Sequence, residues 1–291
     1  MISRTLASFR IARATCALAT LAVAAVGCAS TPLQPIAGER GVAPSDETGP
    51  VASARRAYYS GMEALAAGNN NQAVTIFSAV ARSPRYVRHA ALAKVRVGDA
   101  YFNDQRFEEA AQAYRSFVAQ HASDPNIPYA RFRIASCYFQ RIPSGLFFEP
   151  PDHERDQTAT KSAVRELNGF ISDFPTSRFT SEARTMRTSA MQMLLAQQIY
   201  VADYYEARDK PRAVAWRLAH AIESYPDIAK TDAIVWRMAM AYDEAEEQVD
   251  AARAYATYIE SFPKGLRIAD AKRRLEAIRQ AVNPPPADPS D

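Results

Sequence analysis

Glycine is scarce in this chain, with only 10 residues in a length of 291. Folds built from many tight β-turns rely on glycine where other residues would be strained, so this scarcity argues against a turn-rich β fold. The composition is that of a soluble globular protein, with 48% hydrophobic and 23% charged residues. The length suffices for two compact domains, or for one solenoid in which each repeat contacts only its neighbours.

Cysteine is also scarce, with three residues in the chain. Cys16 and Cys28 lie in or beside an N-terminal targeting segment, which leaves Cys137 without a partner for an internal disulfide. Cys137 stands next to Tyr138 in a helical segment, so a buried, unreactive thiol is favoured there over a nucleophile.

Neither the charge nor the motifs indicate nucleic-acid binding or catalysis. Residues 1–27 contain three Arg and no acidic residue, so they account for the whole formal charge of +3. The sequence has no GxSxG, no Gly-rich phosphate loop and no HExxH. Asp152, His153, Glu154 and Asp156 cluster in a Pro-containing stretch without helical spacing, which favours a solvated loop over a metal site. We therefore predict a protein that is not an enzyme and has no metal or cofactor.

Residues 1–27 have the organisation of a lipoprotein signal peptide. A basic start is followed by an apolar run, residues 14–26, that is too short to span a bilayer. The run ends at Cys28 in a sequence that resembles the bacterial lipobox, although Ala25 stands where Leu is more usual. The resemblance implies cleavage before Cys28 and a covalent lipid on its thiol, and Ala29 after it implies the outer membrane. The alternative is an ordinary secretory signal with an incidental cysteine.

The residues beyond the signal divide into a tether, a patterned region and a tail. Residues 28–53 are rich in Pro, Gly and polar side chains, which predicts a lipidated flexible tether. Residues 283–291 have the composition of a disordered tail.

Between these ends, one pattern of small and large residues recurs five times. A small residue is followed by an aromatic or small residue at +3, a small one at +12, a large one at +16, in four repeats a second large one at +19, and in four repeats a Pro near +24. In the third repeat the residues after +3 arrive 16 residues late. This pattern is typical of the tetratricopeptide repeat (TPR), in which small residues lie where two helices cross and large ones fill the space beside them. The repeats begin at Gly61, Gly98, Ala135, Ala202 and Ala239.

Two interruptions define the expected architecture. Residues 141–157 form an insertion inside the third repeat, and extra residues without Pro or Gly precede the fourth. The second interruption predicts one long helix over about residues 178–207. The predicted fold is therefore all-α: a TPR-like helical-hairpin solenoid of five repeats in two blocks, 54–177 and 178–282, joined by the long helix.

Aromatic and arginine side chains supply the candidate binding residues. In the N-terminal block we expect an open face for a peptide with aromatic side chains and a free carboxylate. Phe147 and Phe148, in the insertion, either hold it against the solenoid or form part of a peptide-binding lip. Arg217 is either a solvated surface residue or an anchor for a partner carboxylate, and Tyr200, Tyr204, Tyr205, Trp216 and Trp236 are interpreted as mostly interhelical core. The expected peptide-binding face comprises Tyr58, Tyr59, Arg96, Tyr101 and Tyr129.

Together these features resemble the BamD family of outer-membrane assembly lipoproteins, over about residues 54–265. The most specific matches are DPNIPYARFRIA (124–135), LFFEPPDHERDQ (146–157) and VADYYEARDKPRAVAWR (201–217). The resemblance implies a non-catalytic, lipid-anchored scaffold on the periplasmic face of the outer membrane. Its N-terminal repeats would bind unfolded β-barrel precursors, and its C-terminal repeats would dock on BamA beside other lipoproteins of the BAM complex. Arg217, Tyr204 and Tyr205 are then the expected partner-binding residues.

Two other functions remain open from the residues alone. Another periplasmic TPR lipoprotein, for example one that coordinates cell-wall synthesis, would share every feature except the Phe-Phe insertion and the long helix. A lytic transglycosylase on a helical solenoid would need a general-acid Glu in a saccharide cleft, and no Glu here has a distinctive setting.

Overall fold

The computed structural model describes residues 49–83, 87–143 and 156–282, and every regular element within these ranges is a helix. The predicted all-α, TPR-like fold class is confirmed. Cys28, Phe147, Phe148 and residues 152–154 lie outside the described residues. The helices are α1 (Pro50–Ala66), α2 (Asn70–Ala81), α3 (Val87–Asn103), α4 (Phe107–Gln120), α5 (Ile127–Gln140), α6 (Thr158–Asp173), α7 (Thr180–Glu206), α8 (Pro211–Ser224), α9 (Pro226–Ala229), α10 (Asp232–Glu244), α11 (Gln248–Ser261) and α12 (Ile268–Val282).

Each helix packs mainly against the helices that precede and follow it along the chain. The single-turn helix α9 is the exception, since α8 packs directly against α10. Helix α1 begins at Pro50, so the last four residues of the predicted tether are helical. None of the described helices combines the length and the apolar character needed to cross a membrane.

The small residue that begins each repeat lies where two helices approach closely. A Cβ atom added to Gly61 would lie 2.7 Å from the ring of Phe77, and one added to Gly98 would lie 2.6 Å from the ring of Tyr114. In both pairs the ring comes from the residue at +16. In these two repeats the small first residue therefore makes room for the large residue at +16, as the sequence predicts.

The turn within each of four hairpins contains one residue with a positive φ. Gly68 has a φ of 78°, and the equivalent positions in other hairpins are Gln105 at 60°, Asp209 at 52° and Glu246 at 58°. Each stands seven residues after its repeat begins. Gly adopts this conformation without strain and Asp does so more readily than most residues, so Gly68 and Asp209 mark their turns by residue type, whereas Gln105 and Glu246 do not.

Helix α7 confirms the predicted long helix. It runs from Thr180 to Glu206 over 27 residues without a break, a length of about 40 Å. It packs against α6 on one side and α8 on the other. The assignment of the chain to two blocks and a tether stays a prediction.

Candidate functional site

Arg217 lies at the contact between α7 and α8. Its Nη1 donates a hydrogen bond to Oε1 of Gln198 on α7, at 3.2 Å. Gln198 is 8% exposed and Arg217 is half-buried. A guanidinium has five N–H donors, so this bond positions the group and leaves other donors able to bind a carboxylate.

Tyr204 and Tyr205 lie at the end of α7. Tyr204 is 46% exposed, and the guanidinium carbon of Arg208 lies 3.4 Å from the centre of its ring. Tyr205 is half-buried and meets Tyr204 edge-on, with ring centres 5.6 Å apart. With Arg217, these residues combine aromatic and arginine side chains, the types enriched at the energetically important points of protein interfaces.

The interpretation of the aromatic group as interhelical core is wrong for three of its members. Tyr200 is 39% exposed, Tyr204 46% and Trp216 56%, because they lie on helix faces that the neighbouring helices leave open. Instead of packing in the core, the Trp216 ring lies against the guanidinium of Arg212, whose carbon is 4.6 Å from the ring centre. Trp236 and Tyr205 do pack against the core. Val214 and Leu218 form the buried stripe of α8, and Trp216, two residues from each, lies on the opposite side of the helix. The helical spacing in the sequence therefore indicated that Trp216 is exposed.

The expected peptide-binding face of the N-terminal block is only partly accessible. Arg96 is 0% exposed, Tyr58 2% and Tyr129 4%, so the expectation that these three line an open face is wrong. Their side chains fill the space between helices. Tyr59 and Tyr101 are half-buried and remain candidates, and Arg106 lies 4.6 Å from the ring centre of Tyr101.

Arg96 and Tyr129 belong to a buried polar network around Asp99, which sequence reasoning missed. The Asp99 carboxylate accepts hydrogen bonds from Tyr114, from Tyr129 at 2.6 Å and from Arg96 at 2.5 Å. A second guanidinium, that of Arg133, lies 3.7 Å from the same carboxylate. In the sequence, one feature indicated this network: Arg96 and Asp99 are three residues apart on a helix, a spacing at which opposite charges can pair.

The protonation of this network suits a structural role. Burial raises the pKa of Tyr114 well above its ordinary value, and the Asp99 charge raises it further against the opposing effect of Arg133. Burial also raises the pKa of Tyr129. Both hydroxyls therefore stay protonated and donate to Asp99.

Cys137 lies beside this network and is 0% exposed. Burial raises the pKa of its thiol to about 12. Only the thiolate is a nucleophile, so the structure supports the interpretation of an unreactive thiol.

A stack of helical hairpins of this kind defines the TPR-type fold, a class of repeat proteins that present extended surfaces. Residues 232–265 match a tetratricopeptide repeat model. Residues 50–248 match the model of the YfiO family, described as outer membrane lipoprotein. That match covers more than half of the chain, and the chain therefore belongs to this family.

Curated relatives share one name, outer membrane protein assembly factor BamD. The protein from Caulobacter vibrioides is 26% identical over 229 residues, which cover 78% of this chain and 72% of the relative. The protein from Neisseria gonorrhoeae is 23% identical over 214 residues, covering 73% and 80%. Among solved structures, the TPR2AB domain of yeast Sti1 in its HSP90 complex aligns with a TM-score of 0.40 at 12% identity, covering 79% of this chain and 84% of that one.

Proposed function

We propose that this lipoprotein is a scaffold subunit of the machinery that assembles β-barrel proteins in the outer membrane. The observation that carries this proposal is the family match over residues 50–248, which spans α1 to the start of α11. Relatives that cover most of the chain are named as assembly factors. In this role the chain is anchored by a lipid on Cys28, binds unfolded barrel precursors and docks on BamA beside other BAM lipoproteins.

The contact with BamA is proposed to include Arg217. Gln198 holds the guanidinium at the α7–α8 contact, and Tyr204 and Tyr205 lie on α7 towards its C-terminal end. A carboxylate on the periplasmic part of BamA would pair with Arg217 in a partly desolvated setting, where a charge pair is stronger than at an open surface.

Arg217→Leu is expected to weaken the association with the periplasmic part of BamA at least tenfold. Removing one member of a partly buried charge pair costs about 2–5 kcal/mol, and 1.4 kcal/mol is one decade in affinity. The fold should be kept, because the buried residues Val214 and Leu218 are kept, with a loss of stability limited to the hydrogen bond to Gln198. Titration of the full chain with this part of BamA, followed by calorimetry, measures the effect.

The matched control is Arg253→Leu, which removes an arginine that is 74% exposed on α11. It should leave the affinity for BamA unchanged. Unchanged affinity in Arg217→Leu as well would show that Arg217 is a solvated residue and that the docking surface lies elsewhere.

Precursor binding is proposed for the N-terminal helices, at the accessible residues Tyr59 and Tyr101. A photoreactive amino acid in place of Tyr101 is expected to crosslink to a peptide that carries the C-terminal segment of a barrel precursor. Aromatic side chains of such a peptide can pack beside Tyr101, and its carboxylate can compete for Arg106 with the carboxylate of Glu109, which lies 3.0 Å from the guanidinium. The same photoreactive residue at Trp216 is the control, and stronger labelling there would contradict the assignment.

Cys28→Ser with an intact signal is expected to abolish lipid attachment and release the protein from the outer-membrane fraction. The hydroxyl of serine cannot replace the thiol that carries the lipid, and stable anchoring needs more than one acyl chain. Metabolic labelling with a fatty acid, together with membrane fractionation, measures both effects. Cys137→Ser should stay labelled, and labelling of Cys28→Ser would rule out Cys28 as the anchor.

A further inference from the structure

Two adjoining cavities follow α7 towards its C-terminal end, and we call them together the α7 groove. The larger, about 440 Å³, is a shallow, open depression lined by one face of α7, which includes Leu195, Ile199 and Tyr200. Leu195 and Ile199 are about one helical turn apart and Tyr200 follows Ile199, an arrangement in which a helix face can receive the side chains of a partner.

The smaller cavity, about 240 Å³, lies between the end of α7, the start of α8 and one face of α10. Its apolar walls are Val214, Trp236 and Met240. A dry cavity of about 150 Å³ already holds a benzene molecule, so this one has room for one long side chain.

Arg237 joins the two cavities. Its Nη2 lies 2.6 Å from the carboxylate of Asp203, which lines the larger cavity, and 2.6 Å from that of Glu206, which lines the smaller one. The two cavities therefore lie next to each other along α7, and the Arg237 charge between them is already engaged by two carboxylates.

The groove carries an excess of negative charge. Four carboxylates line it against two cationic side chains, those of Lys210 and Arg237. Asp209 and Glu244 stand exposed at the rim of the smaller cavity, and no described residue forms an ion pair with either. An apolar wall below free carboxylates fits a Lys or Arg side chain, whose stem is apolar and whose end is cationic.

We propose that the α7 groove binds a basic amphipathic segment of a partner protein. Apolar side chains of the segment lie along Leu195, Ile199 and Tyr200. The stem of a Lys or Arg lies on the apolar wall of the smaller cavity, and its cationic end stays at the rim beside Asp209 and Glu244. The proposal rests on the proposed function, in which the partner is BamA, and it adds a second contact of opposite charge to that of Arg217. The acidic rim repels the free carboxylate at the end of a precursor, which argues against a precursor as the occupant.

The first test combines Asp209→Asn with Glu244→Lys in the full chain. Asn tolerates the positive φ of 52° at position 209, so the turn is kept. This groove variant is expected to bind the periplasmic part of BamA at least tenfold more weakly than the wild type, with a smaller dependence on salt. The matched control is Glu223→Gln with Glu260→Lys, the same change in charge at exposed sites on α8 and α11, and it should bind as the wild type does.

The second test uses Trp236 as a reporter and does not need BamA. Trp216→Phe leaves Trp236 as the single tryptophan of the chain. A synthetic amphipathic peptide of Leu and Lys is expected to shift its fluorescence, whereas the matching peptide of Leu and Glu is not. The groove variant in the same background should lose the response.

The outcomes separate this proposal from the proposed function. If Arg217→Leu weakens BamA binding and the groove variant does not, docking stands and the groove is not part of it. If the wild type does not bind BamA but the Leu/Lys response is lost in the groove variant, docking on BamA fails and the specificity for a basic segment stands. An equal response to both peptides, or a larger one to a precursor peptide with a free carboxylate, overturns the assignment of a basic occupant.

Discussion

Asp99→Ala is expected to lower the free energy of unfolding by about 3–5 kcal/mol, the range for breaking a buried ion pair by removal of one partner. Arg96 is 0% exposed and would lose the carboxylate that lies 2.5 Å from its guanidinium. Tyr114 and Tyr129 would lose the acceptor of their hydroxyl groups. Since domains are stable by only about 5–15 kcal/mol, the variant should unfold at much lower denaturant concentration, as measured by circular dichroism.

Two further variants test whether burial is the cause of this effect. Asp250→Ala removes an exposed carboxylate from an ion pair with Arg253, in which the side chains are 43% and 74% exposed, and should change the stability by less than about 1 kcal/mol. Asp99→Asn keeps an acceptor oxygen for the tyrosine hydroxyls, so its free energy of unfolding should fall less than that of Asp99→Ala. If Asp99→Ala lowers the free energy of unfolding by no more than Asp250→Ala does, the buried network does not stabilise the fold more than an exposed ion pair.

Gly98→Val is expected to destabilise the protein by about 2–3 kcal/mol, within the range for an overpacked contact. Its Cβ would lie 2.6 Å from the ring of Tyr114. This ring cannot easily move aside, because its hydroxyl donates to Asp99 and accepts from Arg133 at 3.2 Å. Thermal unfolding of the full chain measures the loss.

Gly169→Val is the matched control, because it places the same side chain in another helix. Apart from its chain neighbours and the backbone of its own helix, no atom lies within 4 Å of the position that its Cβ would take. Valine has a higher helix propensity than glycine, so the control should be neutral or slightly stabilising. Equal losses at positions 98 and 169 would show that the close contact with Tyr114 does not determine the effect.

Features that depend on local periodicity were predictable from the sequence. The small residue at the start of a repeat and the large one at +16 reproduce the contacts of Gly61 with Phe77 and of Gly98 with Tyr114. The absence of Pro and Gly before Ala202 predicted the unbroken course of α7. In each case neighbours along the chain decide the structure, so one sequence contains enough information.

The accessibility of the candidate site could not be predicted in the same way. Arginine is almost never fully buried unless it is paired, and the partner that permits the burial of Arg96 also holds side chains from two other helices. Tyr204 and Trp216 are exposed because of where adjacent helices end and cross. The α7 groove has the same origin, since three helices contribute to its smaller cavity.

The packing of each helix mainly on its chain neighbours makes the solenoid behave as a linear array of nearest-neighbour interactions. In such an array the energetic effect of a substitution decays with distance along the stack instead of spreading over one common core. The Asp99 network joins α3, α4 and α5, whereas Arg217 and the α7 groove belong to α7, α8 and α10. Melting of the first group can therefore occur while the second keeps its helices, so that the proposed binding of precursors and the proposed docking on BamA can be lost independently.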